Sequence, residues 1–271
     1  VMDTAINPNH ILLNNAVVAH DGGQPGEHGT GVASLVICGL GIRTHGIVTQ
    51  RNSIIAINME PFMSSAQGAG GVERKIRDVV EQLSAQYSFV LVNLSANATS
   101  RSIYKRKPVH ALTKLIDELC WKHNCLFVLS VGNLTKGTDE ARLHALIRRG
   151  YPTYFDSEYA KVLPPGDSMN AISVGSIVGA VSTQSVAALE HPSPITRGNI
   201  NGNFFLKPDL VHHDSNQVLN AGNLSSEDNG PYMASSRDNT TLRRDAGTSF
   251  AAPLVTHAAG VLCGEYPNYK N

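Results

Sequence analysis

The stretch Asp245-Ala246-Gly247-Thr248-Ser249-Phe250-Ala251-Ala252-Pro253 sets one serine between a Gly-Thr pair and the small residues that open an apolar run. From Phe250 to Leu262 apolar residues recur at three- and four-residue intervals, at Ala251, Leu254, Val255, Ala258, Ala259 and Leu262, which predicts a helix with Ser249 at its mouth. Two readings are open there. A serine can cap the helix by accepting hydrogen bonds from its first free N–H groups, with Pro253 tolerated in a first turn. Alternatively its hydroxyl is a nucleophile, and the same free N–H groups face a developing negative charge.

The segments upstream say what such a helix packs on. Strand-like apolar runs lie at 16–19, 53–57, 89–94, 126–131 and 171–174, with Val1-Met2 as a further short strand. Helix-like segments fall between them, at 30–40, 72–86, 109–123 and 138–149. This alternation predicts an α/β fold: a three-layer, doubly wound, mainly parallel sheet with helices on both faces. Sites in such sheets form beyond the carboxyl ends of the strands. Residues 152–167 and 190–245 are dense in Pro, Gly, Asn, Asp and Ser and poor in periodicity, so they read as long surface loops. At 271 residues and 42% hydrophobic, the whole chain, 1–271, reads as a single domain with long loop insertions between 134 and 248. Only two residues precede Asp3, which reads as truncation at the N-terminus.

Lys plus Arg equals Asp plus Glu at 22 each, so the chain carries no general electrostatic footprint for nucleic acid or a membrane surface. No apolar run reaches the roughly 18 residues of a membrane helix. The sequence leaves a secreted and a cytoplasmic location equally open. Cys38, Cys120, Cys125 and Cys263 are scattered without a CxxC pair, and Cys38 and Cys263 lie in apolar helical patterns that read as buried free thiols. Asn-x-Ser/Thr sequons begin at Asn93, Asn97, Asn133, Asn223 and Asn239; Asn93 and Asn133 adjoin strand-like runs, which argues against glycans there.

Three residue types suited to nucleophilic catalysis can be placed by local context. Asp3 follows Val1-Met2, where a strand could deliver a carboxylate to the sheet's edge, and His28 opens a second small-residue helix in Gly26-Glu27-His28-Gly29-Thr30-Gly31-Val32-Ala33. A nucleophilic serine needs a neutral imidazole to take its proton, and that imidazole needs a carboxylate to fix its tautomer. Asn133 ends the strand-like run through Leu129-Ser130-Val131-Gly132; its amide can donate to an oxyanion, or it simply closes a strand-to-loop turn. Asp21 is a rival carboxylate, but Asp21-Gly22-Gly23 signals a turn. His212-His213-Asp214 hints at metal ligands against the plainer reading of a solvated loop. Gly29-Thr30-Gly31-Val32-Ala33-Ser34 mimics a dinucleotide-binding turn but lacks the third glycine, and Arg51 stands where an acid is needed.

Taken together, Asp3-Thr4, His28-Gly29-Thr30-x-Val32-Ala33 and Gly247-Thr248-Ser249-x-Ala251-x-Pro253, in that order, resemble the three motifs of the subtilisin-like serine peptidases, the subtilase family. The resemblance implies a serine endopeptidase working through an acyl-enzyme, with Asp3 orienting the base, His28 as general base and acid, and Ser249 as nucleophile. It implies Asn133 as the oxyanion-hole donor, and a substrate strand at Asn93-Leu94-Ser95 with Ser95, Ala96, Asn97 and Ser130, Val131, Gly132 lining the specificity pocket. The implied partner is a protein or peptide substrate. No cofactor is required for the chemistry; family members often bind structural calcium, but no complete ligand set matches here, and the loops around Asp214 and Asp228 are weak candidates. Ala5 and Ser34 stand where the family usually has glycine, and Ala96-Asn97 replaces a usual Leu-Gly, which narrows the expected pocket. A second reading is a catalytically impaired interaction module on the same scaffold, with a partner at the long surface loops.

Overall fold

In the computed structural model, the structure describes residues 1–42, 48–63, 70–98, 109–134, 145, 147, 150–157, 160–200, 206–220, 223–226 and 229–267. The strands are β1 (Met2–Asp3), β2 (Val17–His20), β3 (Ile54–Asn58), β4 (Val90–Leu94), β5 (Cys125–Ser130), β6 (Ile172–Val178), β7 (Asn199–Ile200), β8 (Leu206–Lys207), β9 (Leu210–Asp214), β10 (Gln217–Asn220), β11 (Asn223–Ser226), β12 (Tyr232–Ala234) and β13 (Leu242–Arg244). The helices are α1 (Glu27–Cys38), α2 (Glu60–Met63), α3 (Gly71–Ser84), α4 (Ala111–Lys122) and α5 (Thr248–Glu265). Seven strands form one sheet in the order β2-β3-β1-β4-β5-β6-β9, and every pairing in it is parallel.

The period-two alternation of β4 and β5 assigns the two faces. Val90, Val92 and Leu94 of β4 and Phe127 and Leu129 of β5 bury against Ile76, Val79 and Val80 of α3 and Leu112, Leu115, Ile116 and Leu119 of α4. The intervening Val128 turns the other way, onto Ala251, Ala252 and Val255 of α5. Beside α5, Val32, Leu35 and Val36 of α1 pack with Ile54 and Ala56 of β3 and with Met233 and Ala234 of β12. Two helical layers thus enclose a parallel sheet, as the alternation of elements required.

The structure corrects the reading of residues 190–245 as loop. This stretch contributes β9 to the main sheet, paired with β6 from Val174↔Leu210 to Val178↔Asp214, and three two-stranded antiparallel ribbons, β7-β8, β10-β11 and β12-β13. β9 escaped because it is an edge strand: Leu210 and Val211 are exposed and two histidines interrupt any apolar pattern. The helix expected at 138–149 lies largely outside the described residues, with Asp228. Cys38 is buried, but Cys263 is only half-buried, because the buried part of α5 ends at Thr256; all four cysteines are free. Asn93 and Asn133, by contrast, are buried, which shields both sequons. No described helix is long and apolar enough to cross a membrane.

Candidate active site

Asp3 is the last residue of β1, and His28 is the second residue of α1. The two are brought together because the start of α1 lies against the chain that leaves β1. Gly26 N donates to Ala5 O, Gly29 N donates to Thr4 Oγ1, and a Cβ on Gly29 would fall 2.2 Å from Thr4 O. Only a residue without a side chain permits that approach. His28 Nδ1 then lies 2.7 Å from Asp3 Oδ1, which also accepts from Thr4 N at 2.7 Å. The carboxylate side chain is 4% exposed and the imidazole 32%, so the pair is a buried acid holding a ring that reaches solvent. Asp21 is not a rival in the fold, since it pairs with Lys75 at 3.1 Å.

The nucleophile candidate does not cap its helix. The N-cap of α5 is Gly247, no side chain caps it, and Ser249 sits one residue inside the first turn. Gly247 has φ +150, a conformation suited to glycine, and a Cβ there would meet Asn133 Nδ2 at 2.8 Å. Consecutive amides of this turn are taken by side chains from the end of β9 and from the segment after β5: Gly247 N donates to Asp214 Oδ1 and Oδ2 at 3.0 and 2.9 Å, and Thr248 N donates to Asn133 Oδ1 at 2.9 Å. The Ser249 N–H has no acceptor among the described residues. Asn133 Oδ1 also accepts from Thr248 Oγ1 at 3.0 Å, while its amide nitrogen, beside Gly247, has no acceptor among the described residues. The Asn133 backbone is itself fixed by Arg197 Nε, which donates to Asn133 O at 3.0 Å.

Pro253 stands in the second turn of α5, not the first. Its missing N–H is the one that would have bonded Ser249 O, four residues back. Ser95 Oγ donates to that carbonyl instead, at 3.1 Å, while Ser249 Oγ donates to Ser95 O at 3.3 Å. The Ser249 hydroxyl is therefore turned onto Ser95, and no hydrogen bond joins it to His28 in this structure. The two motifs nonetheless adjoin: the Phe250 ring lies 5.2 Å from the imidazole, centroid to centroid. Catalytic hydrogen bonds are commonly loose before substrate binds.

The departures from glycine and from Leu-Gly each have a physical account. Ala5 is 3% exposed and fits beside Gly23. Ser34 Oγ donates to Gly31 O at 2.7 Å and accepts from Ala234 N at 3.0 Å, so the added hydroxyl docks the β12-β13 hairpin on α1. The hairpin is also held by Arg243, whose Nη2 donates to Glu27 O at 2.9 Å. Asn97 Nδ2 donates to Ser130 O at 2.8 Å and Ser130 Oγ donates to Asn97 Oδ1 at 3.0 Å. This reciprocal clamp spans the carboxyl ends of β4 and β5 where the resemblance put the walls of a pocket. On the other side of Ala96 and Asn97, a cavity of about 170 Å³ is lined by Met59, Val72, Leu94 and Leu112. A larger cavity of about 430 Å³ lies at the amino ends of β3 and β4, away from Ser249.

His212, His213 and Asp214 lie on β9, and Asp214 is turned inward to Gly247 rather than outward with its neighbours. Among the described residues no group of three or more His, Cys, Asp or Glu is arranged to hold a metal ion. The sequence reading has Ser95 in a pocket wall and Asp214 only as a weak metal candidate; it misses the bonds of Ser95 to the Ser249 carbonyl and of Asp214 to Gly247, and the packing of Phe250 on His28. Phe250 lies inside the serine motif and Ser95 in the substrate strand, but only the fold shows these contacts and brings Asp214 to the turn.

A parallel sheet with an Asp–His pair and a serine at a helix mouth defines the class of α/β serine hydrolases. Over residues 1–271 the sequence matches the family model described as Peptidase_S8, Subtilase family, and the chain belongs to that family. It is 24% identical over 213 residues to the uncharacterized protein y4bN of Sinorhizobium fredii (strain NBRC 101917 / NGR234), covering 71% of this chain. The match spans 48%, about half, of that relative's length. Among solved structures, the prenylagaramide maturation protease PagA superposes with a TM-score of 0.58 at 18% identity, covering 98% of this chain and 74% of the other. A structure described as S41 psychrophilic protease superposes with a TM-score of 0.63 at 16% identity, covering 98% and 76%. Both likenesses concern the fold.

Proposed function

We propose that this chain is a serine endopeptidase domain hydrolysing peptide bonds of protein or peptide substrates through an acyl-enzyme. The observation that carries the reading is the 2.7 Å contact of His28 Nδ1 with buried Asp3, at the helix mouth beside the turn that holds Ser249. Ser249 attacks the carbonyl carbon while His28 Nε2 takes its proton, and Asp3 holds the ring with Nε2 unprotonated. The Ser249 N–H and Asn133 Nδ2 then donate to the tetrahedral oxyanion. On collapse, His28 returns the proton to the leaving amine and afterwards activates the water that releases the acyl group. These steps draw on side chains and backbone alone, without a cofactor.

An extended substrate fits as a strand beside residues 93–97, aligned by main-chain hydrogen bonds, with an apolar side chain at the cavity by Ala96. The test is a fluorophosphonate probe with the adduct located by mass spectrometry. Labelling confined to Ser249 supports the reading, and a folded protein that stays unlabelled overturns it.

One observation favours the rival reading of an interaction scaffold: the Ser249 hydroxyl faces Ser95 O rather than His28. The same labelling decides between them, because a serine locked on Ser95 would not react.

Two further outcomes are expected. Asn133→Asp keeps the oxygen that accepts from Thr248, removes the donor and sets a carboxylate beside the oxyanion, so the loss is at least that of one donor. Turnover should fall by about a hundred- to a thousand-fold with KM little changed; a loss under fivefold would remove Asn133 from the hole. Asn97→Gly breaks the clamp to Ser130 and opens the space between β4 and β5. The kcat/KM for peptides with a large residue before the scissile bond should rise about tenfold relative to those with alanine. An unchanged ratio in a peptide library would show that the clamp does not set the preference.

A further inference from the structure

We propose that Asp214 is a positioning residue for the nucleophile: its carboxylate anchors the turn that carries Ser249 by binding the Gly247 amide. The proposal deepens the peptidase reading and rests on it for its kinetic consequence.

Asp214 closes β9, is 1% exposed, and places both oxygens within 3.0 Å of one N–H, that of Gly247. Gly247 is the residue whose φ of +150 sets the entry angle of α5, two residues before Ser249. Asn133 takes the next amide, and the one after that is the free N–H of Ser249. The direction of that free N–H is thereby fixed from two sides, by the segment that follows β5 and by the end of β9. Phe250 N donates to Gly247 O at 2.8 Å, so the anchored residue also receives the first bond of the helix.

The carboxylate is an expensive choice for a purely structural bond. No cation lies within ion-pair distance of it among the described residues, and the charge acting on it from the neighbouring turn is that of Asp245, of the same sign. On its own strand His213 precedes it, and its backbone oxygen accepts from Gly179 N at 3.0 Å. Burial pushes the carboxyl up to about 6, against the pull of the Gly247 amide first and of the Ser215 amide and Ser176 hydroxyl after it. The folded state therefore holds this proton more tightly than the unfolded chain, between the ordinary carboxylate range and about 6. Stability from this group is lost as pH rises through that window, and the ionised group is a net cost at neutral pH. A charge kept at such a cost points to work done at the turn: a charge-assisted bond holds an amide more firmly than a neutral acceptor does.

The test compares wild type with Asp214→Asn, which keeps the shape and one acceptor oxygen, and Asp214→Ala. Three readouts are taken: the Gly247 amide resonance in glycine-labelled protein across pH, thermal stability at neutral pH, and the rate of fluorophosphonate labelling across pH. In wild type the Gly247 amide should shift as Asp214 ionises, and in Asp214→Asn that shift should vanish. Asp214→Asn should be at least as stable as wild type at neutral pH yet label several-fold more slowly, without the acid-side component that Asp214 adds to the pH profile. Asp214→Ala should label about ten- to a hundred-fold more slowly. A Gly247 resonance indifferent to pH and to Asp214→Asn would overturn the proposal, as would an unchanged labelling rate and profile in Asp214→Asn. If wild type failed to label while Gly247 still tracked Asp214, the anchor would stand and the peptidase reading would fall.

Discussion

Ser249→Ala is expected to abolish fluorophosphonate labelling and to lower peptide hydrolysis by roughly six orders of magnitude, the scale on which triad removal acts in enzymes of this kind. No neighbouring hydroxyl can substitute: Ser95 Oγ is committed to Ser249 O and Asn93 Oδ1, and Thr248 Oγ1 to Asn133 Oδ1. What survives is the hydrogen-bonding frame around the carbonyl, which leaves a residual rate about a thousand- to ten-thousand-fold above water. His28→Ala should cost about as much, and the double substitution little more, because the two act as one device. Ser249 is buried, but among the described residues its hydroxyl makes only the 3.3 Å hydrogen bond to Ser95 O, so alanine leaves the fold intact. Labelling that persists in Ser249→Ala, or hydrolysis within tenfold of wild type, would assign the nucleophile elsewhere.

The second large effect is expected at Asp3. Its Oδ1 accepts from His28 Nδ1, which leaves Nε2 as the base. Asparagine fills the same volume, but presenting its amide N–H to the ring would favour the tautomer with the proton on Nε2, and the base would disappear. A fall in turnover of about ten-thousand-fold follows, with binding of a peptide product nearly unchanged. Asp3 is buried and Thr4 N also donates to its Oδ1, so circular dichroism must establish that Asp3→Asn is folded before the kinetics are read. A loss below tenfold in the folded variant would remove Asp3 from the mechanism.

Asp3, His28, Asn133 and Ser249 stand out in the sequence as candidates because each sits in a short local pattern with a physical reason. Glycines let the backbones at His28 and Ser249 approach, a strand end presents Asp3, and the end of an apolar run presents Asn133. The layered α/β fold was legible for the same reason, since β4 and β5 are apolar on both faces and the helices between them are amphipathic. What stayed hidden depends on contacts between distant segments. Asp214 looked like part of a polar loop, and nothing within the sequence around it points to an amide 33 residues on. Asn97 was legible as an oddity in a pocket wall, but its bond to Ser130 required the register of β4 on β5. Pro253 was placed one turn too early, and so its effect on the Ser249 carbonyl was missed.

That proline ties the serine to the order in which the chain becomes complete. Because α5 leaves the Ser249 carbonyl without its own partner, the helix end is satisfied only by Ser95, 154 residues earlier; Asn133 and Asp214 bind it from 115 and 33 residues away. The nucleophile is thus made after the Ser95, Asn133 and Asp214 side chains that orient its turn. Until α5 docks, the Asp3–His28 pair exists without a serine to activate, and a partly made chain is silent toward its own disordered segments. Reactivity toward the probe is then a sensitive signal that the whole sheet has assembled.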